Sequence, residues 1–465
     1  MEHVPTAQFE RQVARLSRSA LRDRLHAVRA LSAIRGLQFR DDYGRPRTIE
    51  LAFIPWLLTP PQVRFFHRLA HELVRVLRRL PTLYAHDPAV RRILPFEPEQ
   101  EAWLRLAGQP QSRPPLAVLG RLDSTATFGH ADWRSDFRML EPNTVAVGGV
   151  HYAPTSCSIM LDVLGDVFQQ AFPGSRVVPT PDPRRLLMDE LNAVAARQGR
   201  RLRGVALLEN EEFLGGTDEF GQLAEFLRRE GLRAVVVDPR HLTLSRGRIM
   251  AGDLAIDVIY RDCELIELIE MEASGHRLTA LRQAVRQGRL ISGLLWEFDH
   301  KSAWELLTDP AHARYLTPRQ RRLFHVHVAW TRLVRETMTS DPRGRRVDLV
   351  RYIARQQAQL VLKPNALYGG EGVVVGRHVT RAVWERTLAR ALRGRMRYVV
   401  QQRASIPAHR FPMLDARGGV RVVERNVVSG FFFNSSDIGL VGRFSENPVV
   451  NVSRGGGLLA ALVVQ

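Results

Sequence analysis

Two short polar patterns and two isolated lysines hold most of the chemistry this sequence offers. Arg121 and Asp123 stand two residues apart in the apolar run 116–123, and Glu141 and Asn143 stand two apart in the run 137–143. On an extended strand, alternate residues point from one face. Pairing of these strands would gather an arginine, two carboxylates and an amide oxygen on one patch. Such a hard-oxygen set beside phosphates is what Mg²⁺ accepts, so Asp123, Glu141 and Asn143 are the candidate metal ligands. Arg121 is the candidate catalytic cation, able to bind phosphoryl or carboxylate oxygens as negative charge builds up. A surface Arg–Asp pair and an asparagine turn after Pro142 would leave the same residues in the sequence.

Lysine and arginine together number 67, yet only Lys301 and Lys363 are lysines. An ammonium is a compact point charge and a guanidinium a flat fork, and a phosphate packed beside a nucleotide suits the point charge. Lys301 is placed at the opening of an expected helix, 300–307. Lys363 ends the β-like run 359–364, just before Tyr368-Gly-Gly-Glu-Gly-Val373. Gly369, Gly370 and Gly372 would let backbone amides close over phosphate oxygens with no side chain between. The lysine precedes the glycines and sits on a strand, so the pattern is not a P-loop. Tyr398-Val-Val-Gln401-Gln402 is an apolar strand ending in two amides, able to wall an adenine and present hydrogen bonds to its edge. Alone, the glycine hairpin and this strand would each read as ordinary structure. Arg261, after the strand 256–260, can bind an acidic substrate or form a surface ion pair with Asp262 or Glu264. His325 and His327 lie two apart on an expected helix and share no face, so they are set aside as metal ligands.

Taken in chain order, these elements resemble the circularly permuted branch of the ATP-grasp superfamily, which includes glutathionylspermidine synthase-like ligases. The resemblance spans about 115 to 455. It implies that Asp123, Glu141 and Asn143 hold Mg²⁺, that Lys301 and Lys363 bind ATP phosphates, and that Gly369 and Gly370 belong to a covering loop. Gln401 and Gln402 are similar to the adenine hinge. The segment Asn447 to Gly457 is similar to the closing segment, in which Asn451 would meet the nucleotide and Arg454 a phosphate or substrate carboxylate; a glycine-rich turn before a final strand fits those letters equally. Ordinary ATP-grasp chains carry the lysines first and the Glu-x-Asn last, and the reversed order here is what circular permutation produces. Two departures stand out: a longer polar insert from Ser124 to Asp136, and Gln402 where the family often has Glu. No cysteine precedes Cys157, so nothing suggests the amidase domain of the bifunctional relatives. The resemblance implies an ATP- and Mg²⁺-dependent ligase joining a small-molecule or peptide carboxylate to an amine through an acyl phosphate. A kinase on the same site and a non-catalytic basic nucleic-acid-binding protein are the rival readings.

The elements that must position these residues read as α/β (α+β). At 465 residues the chain exceeds one ordinary core, so two or three lobes are expected. A helical N-terminal region fills 1–114, with amphipathic helix over 7–39 and a second helix after Thr59-Pro-Pro61. Residues 115–300 hold the metal-binding strands and an α/β substrate lobe, whose strand–helix–strand order at 203–262 implies a parallel sheet. Residues 301–465 form the nucleotide lobe with its glycine lid. With 45% hydrophobic and 25% charged residues the chain is not broadly disordered. The net charge of +19 permits nucleic-acid or acidic-membrane binding, but the arginines are dispersed, as in Arg11, Arg15, Arg18 and Arg22, and form a solvated surface. No nucleic-acid or membrane partner is expected. No apolar run approaches the roughly 18 residues of a membrane span, and the start lacks a basic-then-apolar signal region, so a cytoplasmic protein is expected. Cys157 and Cys263 are expected as two buried thiols.

Overall fold

The computed structural model describes residues 5–40, 44–108, 117–125, 132–212, 216–217, 219–447, 449–450, 452 and 455–465. Its N-terminal part is mainly helical, but Gln38–Arg40, at the end of the helix expected over 7–39, and Trp56–Leu58 are strands. The helix expected over 7–39 is two helices, Pro5–Val13 and Arg18–Ile34. Ser17 between them is extended, and its hydroxyl accepts the Ala20 amide, capping the second helix. The next helix, Pro60–Leu77, begins as its Thr-Pro-Pro entrance dictates: Thr59 and Gln62 exchange side chain-to-backbone hydrogen bonds, and prolines fill the first turn. Its buried face presents Phe66, Leu69, Leu73 and Leu77 to the main core.

The parallel sheet expected from 203–262 is present, in the order Leu290–Ile291, Val258–Arg261, Gly204–Leu208, Arg233–Val237. Helix Glu219–Arg229 makes one crossover, and Gly231, at φ 85°, turns the chain into the following strand. The carboxyl ends of these strands carry the loops 209–212, 238 and 262–264. That edge is where open α/β sheets bind ligands.

A second, antiparallel sheet joins distant parts of the chain. Its order is Gly457–Leu459, Ile438–Ser445, Val420–Phe433, Gly120–Thr125, Met139–Asn143, with Ala408–Leu414 also paired to the long central strand. The two polar patterns sit on neighbouring strands in direct register, Arg121 opposite Asn143 and Asp123 opposite Glu141. Gly430 stands opposite Asp123 on the other side, and a Cβ there would lie 2.7 Å from Arg121 Cδ. The missing side chain gives the guanidinium arm its path.

A smaller sheet runs Thr331–Leu333, Tyr398–Gln402, Leu360–Pro364, Val374–Val375. Helices Leu349–Arg355 and Arg381–Arg393 accompany it, and Trp330, Ile353, Leu362, Trp384 and Val400 form a core of their own, apart from the main one. The whole is a mixed α/β fold. No helix among the described residues is long and apolar enough to cross a membrane. Cys157 and Cys263 are buried free thiols, so neither serves as a cross-link.

Candidate active site

The edge of the parallel sheet, the face of the antiparallel sheet and the smaller sheet enclose a cleft of about 1600 Å³. Arg121, Asp123, Glu141, Asn143, Lys301, Lys363, Gly369, Gly370, Gln401 and Gln402 all line it. Asn451 and Arg454 lie outside the described residues.

The cleft floor is an ionic lattice. Asp123 takes Arg121 in a two-pronged contact, Nε to Oδ1 at 2.7 Å and Nη2 to Oδ2 at 3.2 Å, and Arg443 Nη2 at 2.8 Å. Glu141 Oε2 sits 3.7 Å from both Lys301 Nζ and Lys363 Nζ. Burial pushes both carboxyls up, but the adjacent cations outweigh it and hold Asp123 and Glu141 below the ordinary carboxylate range. Burial lowers Lys363, with Glu141 opposing. The Asn143 amide nitrogen donates to Arg121 O at 3.4 Å, leaving its carbonyl oxygen to the cleft.

Lys301 does not open a helix; it stands in the turn before Ala303–Thr308. That turn is stitched to the chain just beyond Lys363. The Lys301 amide donates to Asn365 O, the Ser302 amide to Asn365 Oδ1 at 2.9 Å, and Lys301 Nζ to Leu367 O at 2.5 Å. The glycine loop therefore hangs from one of the two lysines. Gly369, Gly370 and Gly372 have φ of 65°, 72° and 65°, a left-handed backbone that side chains disfavour. A Cβ on Gly370 would also meet Val449 Cγ1 at 2.5 Å.

The two glutamines divide their work. Gln401 is 2% exposed and donates from Nε2 to Leu140 O and to Thr331 Oγ1, tying the smaller sheet to the strand that carries Glu141. Gln402 remains exposed on the cleft wall. Arg261 neither faces a substrate nor forms a surface pair. It is fully buried, donates to Ser292 O and Cys263 O at 3.0 Å each, and pairs with Glu297, a brace behind the parallel sheet.

Two features escape sequence reasoning. Arg443 completes the Asp123 pair, and the available signal was a single cation inside the otherwise apolar strand Ile438–Ser445. The sheet edge also brings carboxylates to the cleft wall, Glu209, Glu211, Glu212, Asp238, Asp262 and Glu267, of which Asp238 and Glu212 are paired with Arg240. Burial, with Glu267 beside it, lifts the Asp262 carboxyl to about 6. Glu219, behind this wall, is lifted by burial to about 7 although the Gly149 and His151 amides donate to it. These residues sit in loops and at a helix start, where hydrophobic period gives no warning.

Away from the cleft, Glu305, Asp309 and His312 offer ligand atoms within 4.8 Å of one another. Their carboxylates are already taken: Arg335 grips Glu305, and Arg332 with the Thr339 hydroxyl holds Asp309. Two guanidiniums balance the two carboxylates in an internal ion network.

No family model matches the chain, and no curated protein matches it in sequence. Among solved structures it is similar to a glutathione synthetase-like effector from Globodera pallida in its apo form. The TM-score is 0.60 at 10% sequence identity, over 96% of this chain and 97% of that one. The likeness runs nearly end to end, and at that identity it concerns the fold.

Proposed function

We propose that this protein is an ATP-dependent carboxylate–amine ligase of the circularly permuted ATP-grasp type. The observation that carries the reading is Glu141 held between Lys301 and Lys363, with Asp123 directly across the strand pair. Carboxylates that face two lysines on a cleft floor suit a polyphosphate with its Mg²⁺, since the metal takes hard oxygens and the ammoniums take phosphate. Asp123, Glu141 and the Asn143 carbonyl would hold Mg²⁺. Lys301, Lys363 and the amides of Gly369 and Gly370 would hold the phosphates, and Gln402 would face the adenine. The order of the elements and the end-to-end fold likeness to a glutathione synthetase-like protein support the assignment.

When bound, MgATP would supply the phosphoryl group that turns a carboxylate oxygen into a leaving group, so that an amine bonds to the carboxyl carbon and phosphate departs. The chain's own part is positioning and charge stabilisation. Arg121 and Arg443, fixed by Asp123, present guanidinium edges to phosphoryl or carboxylate oxygens. Arg240 already takes Asp238 and Glu212, so Asp262 and Glu267 are the wall carboxylates that would meet an amine. Asp262, with its raised affinity for protons, is suited to take the proton the amine must lose before it attacks. A purely phosphate-transferring enzyme has no need of that wall. The residues 1–114 would form the helical N-terminal region, 115–300 the metal strands and substrate lobe, and 301–465 the nucleotide lobe.

The test is a phosphate-release screen over paired carboxylates and amines, with mass spectrometry of the products. Amide together with inorganic phosphate is expected. A phosphorylated product without amide would select the kinase reading instead.

A further inference from the structure

The floor of the cleft carries more positive than negative charge at the place where a metal would sit. Arg121 and Arg443 contact Asp123, and Lys301 and Lys363 flank Glu141. That is four cations on two carboxylates, a balance of +2. All four side chains are largely buried, between 9% and 15% exposed. The contacts also differ in kind. The guanidiniums touch Asp123 at 2.7 and 2.8 Å, within hydrogen-bond range, whereas each ammonium stands 3.7 Å from Glu141.

We propose that this floor is an anion site before it is a metal site, with the Glu141 carboxylate holding the place of a phosphate between Lys301 and Lys363. A bare divalent cation approaching the floor meets net positive charge. To gain Glu141 it must take a carboxylate from two buried ammoniums that then lose their nearest counter-charge. A polyphosphate does the reverse: it gives both lysines a new anionic partner and leaves Glu141 free to turn to a cation. Metal affinity is therefore created by the bound anion. By linkage, the metal strengthens polyphosphate binding by the same factor. The inference rests on the ligase reading only in naming ATP as the natural polyphosphate.

Calorimetry with the full chain tests this, using Mn²⁺ alone, tripolyphosphate in EDTA, and the two together, with ATP in parallel. For the unaltered protein, no saturable heat is expected from Mn²⁺ alone, while tripolyphosphate binds without metal. Saturable Mn²⁺ binding to the unaltered protein without any polyphosphate, lost in E141Q, overturns the proposal. E141Q removes the place-holder, so metal-free tripolyphosphate should bind about tenfold or more tightly, and added Mn²⁺ should no longer tighten it. Equal metal-free affinity in E141Q and the unaltered protein also overturns the proposal. Should E141Q fold poorly, saturable Mn²⁺ binding to the unaltered protein in the absence of polyphosphate still overturns the proposal. Tripolyphosphate binding with no advantage for ATP would leave the anion site standing and remove the nucleotide reading.

Discussion

Asp123 and Glu141 are register partners on adjacent antiparallel strands, so both carboxylates face one cleft, yet each is compensated by a different kind of cation. Asp123 is clamped by two guanidiniums at hydrogen-bonding distance, while Glu141 lies between two ammoniums at 3.7 Å. A planar fork fixes its partner's orientation, whereas a point charge on a flexible stem does not. The pair thus joins one fixed carboxylate to one able to change partners.

The fixed member should matter for folding. Asp123→Ala leaves Arg121 and Arg443 buried without their counter-charge, and removing one partner of a buried pair costs about 3–5 kcal/mol. Urea unfolding should show a loss of that order. A loss below ~1 kcal/mol would mean that the guanidiniums find other partners and that Asp123 is not the centre of the floor.

The lysines should matter for nucleotide, and they are separable. Lys301→Ala and Lys363→Ala should each weaken ATP binding by roughly 2–5 kcal/mol in calorimetry, the range for truncating a desolvated charged partner. Only Lys301 also donates to Leu367 O, so Lys301→Ala alone should speed amide exchange in the glycine loop. Lys363→Arg should not recover the lost affinity, because a fork cannot replace a point charge at this spacing. Unchanged ATP affinity in both alanine variants would remove the nucleotide assignment.

The parts of this site that the sequence made legible are those written in local pattern. Period two placed Arg121 with Asp123 and Glu141 with Asn143, and the register of the two strands does gather them on one patch. The rarity of lysine singled out two residues that prove to share one carboxylate. What stayed hidden depends on contacts between distant segments. Arg443 reads as a stray charge in a core strand until Val420–Phe433 brings its strand to within reach of Asp123. Arg261 reads as a surface residue because the half-buried Glu297 that balances it is 36 positions away. Gln401 reads as a ligand-facing amide because its acceptor, Leu140 O, belongs to a strand 261 residues earlier. The break at Ser17 was local, but a continuous apolar stripe masked the cap.

The glycine loop offers a conformational test. Gly370→Ala meets two obstacles, a left-handed φ of 72° and Val449 Cγ1 at 2.5 Å. Gly199→Ala meets a similar φ of 64° with nothing within 4 Å. Backbone strain of about 1–2 kcal/mol is common to both, so the contact with Val449 is what separates them. Gly370→Ala should lower ATP affinity and speed exchange around 369–372 beyond anything seen in Gly199→Ala, with little further loss in the urea midpoint. Equal behaviour of the two variants would show that the loop does not dock on Val449.

The pH dependence of stability should carry the signature of Glu219. Burial lifts this carboxyl from the ordinary 4.5 to about 7, against the two backbone amides that donate to it at 2.7 and 2.6 Å. A raised carboxyl pKa means that the folded chain keeps a proton which the unfolded chain has already released. Stability therefore falls as pH rises from about 4.5 to about 7, and this contribution is flat beyond. Glu219→Gln is neutral throughout and loses an acceptor for one amide, a cost that does not vary with pH. The difference between the two proteins should thus change across the window by on the order of 3 kcal/mol, moving in favour of the variant as pH rises. Asp262, lifted to about 6, leaves a contribution of the same sign in both. Urea unfolding at pH 5, 6, 7 and 8 measures this, and parallel stability curves would show that Glu219 titrates as an ordinary carboxylate. The consequence reaches the cleft floor, because Glu219 holds the Gly149 amide next to the Gly148 carbonyl that accepts from Arg121. Ionisation of one buried carboxylate is in this way coupled to the seat of the candidate catalytic arginine.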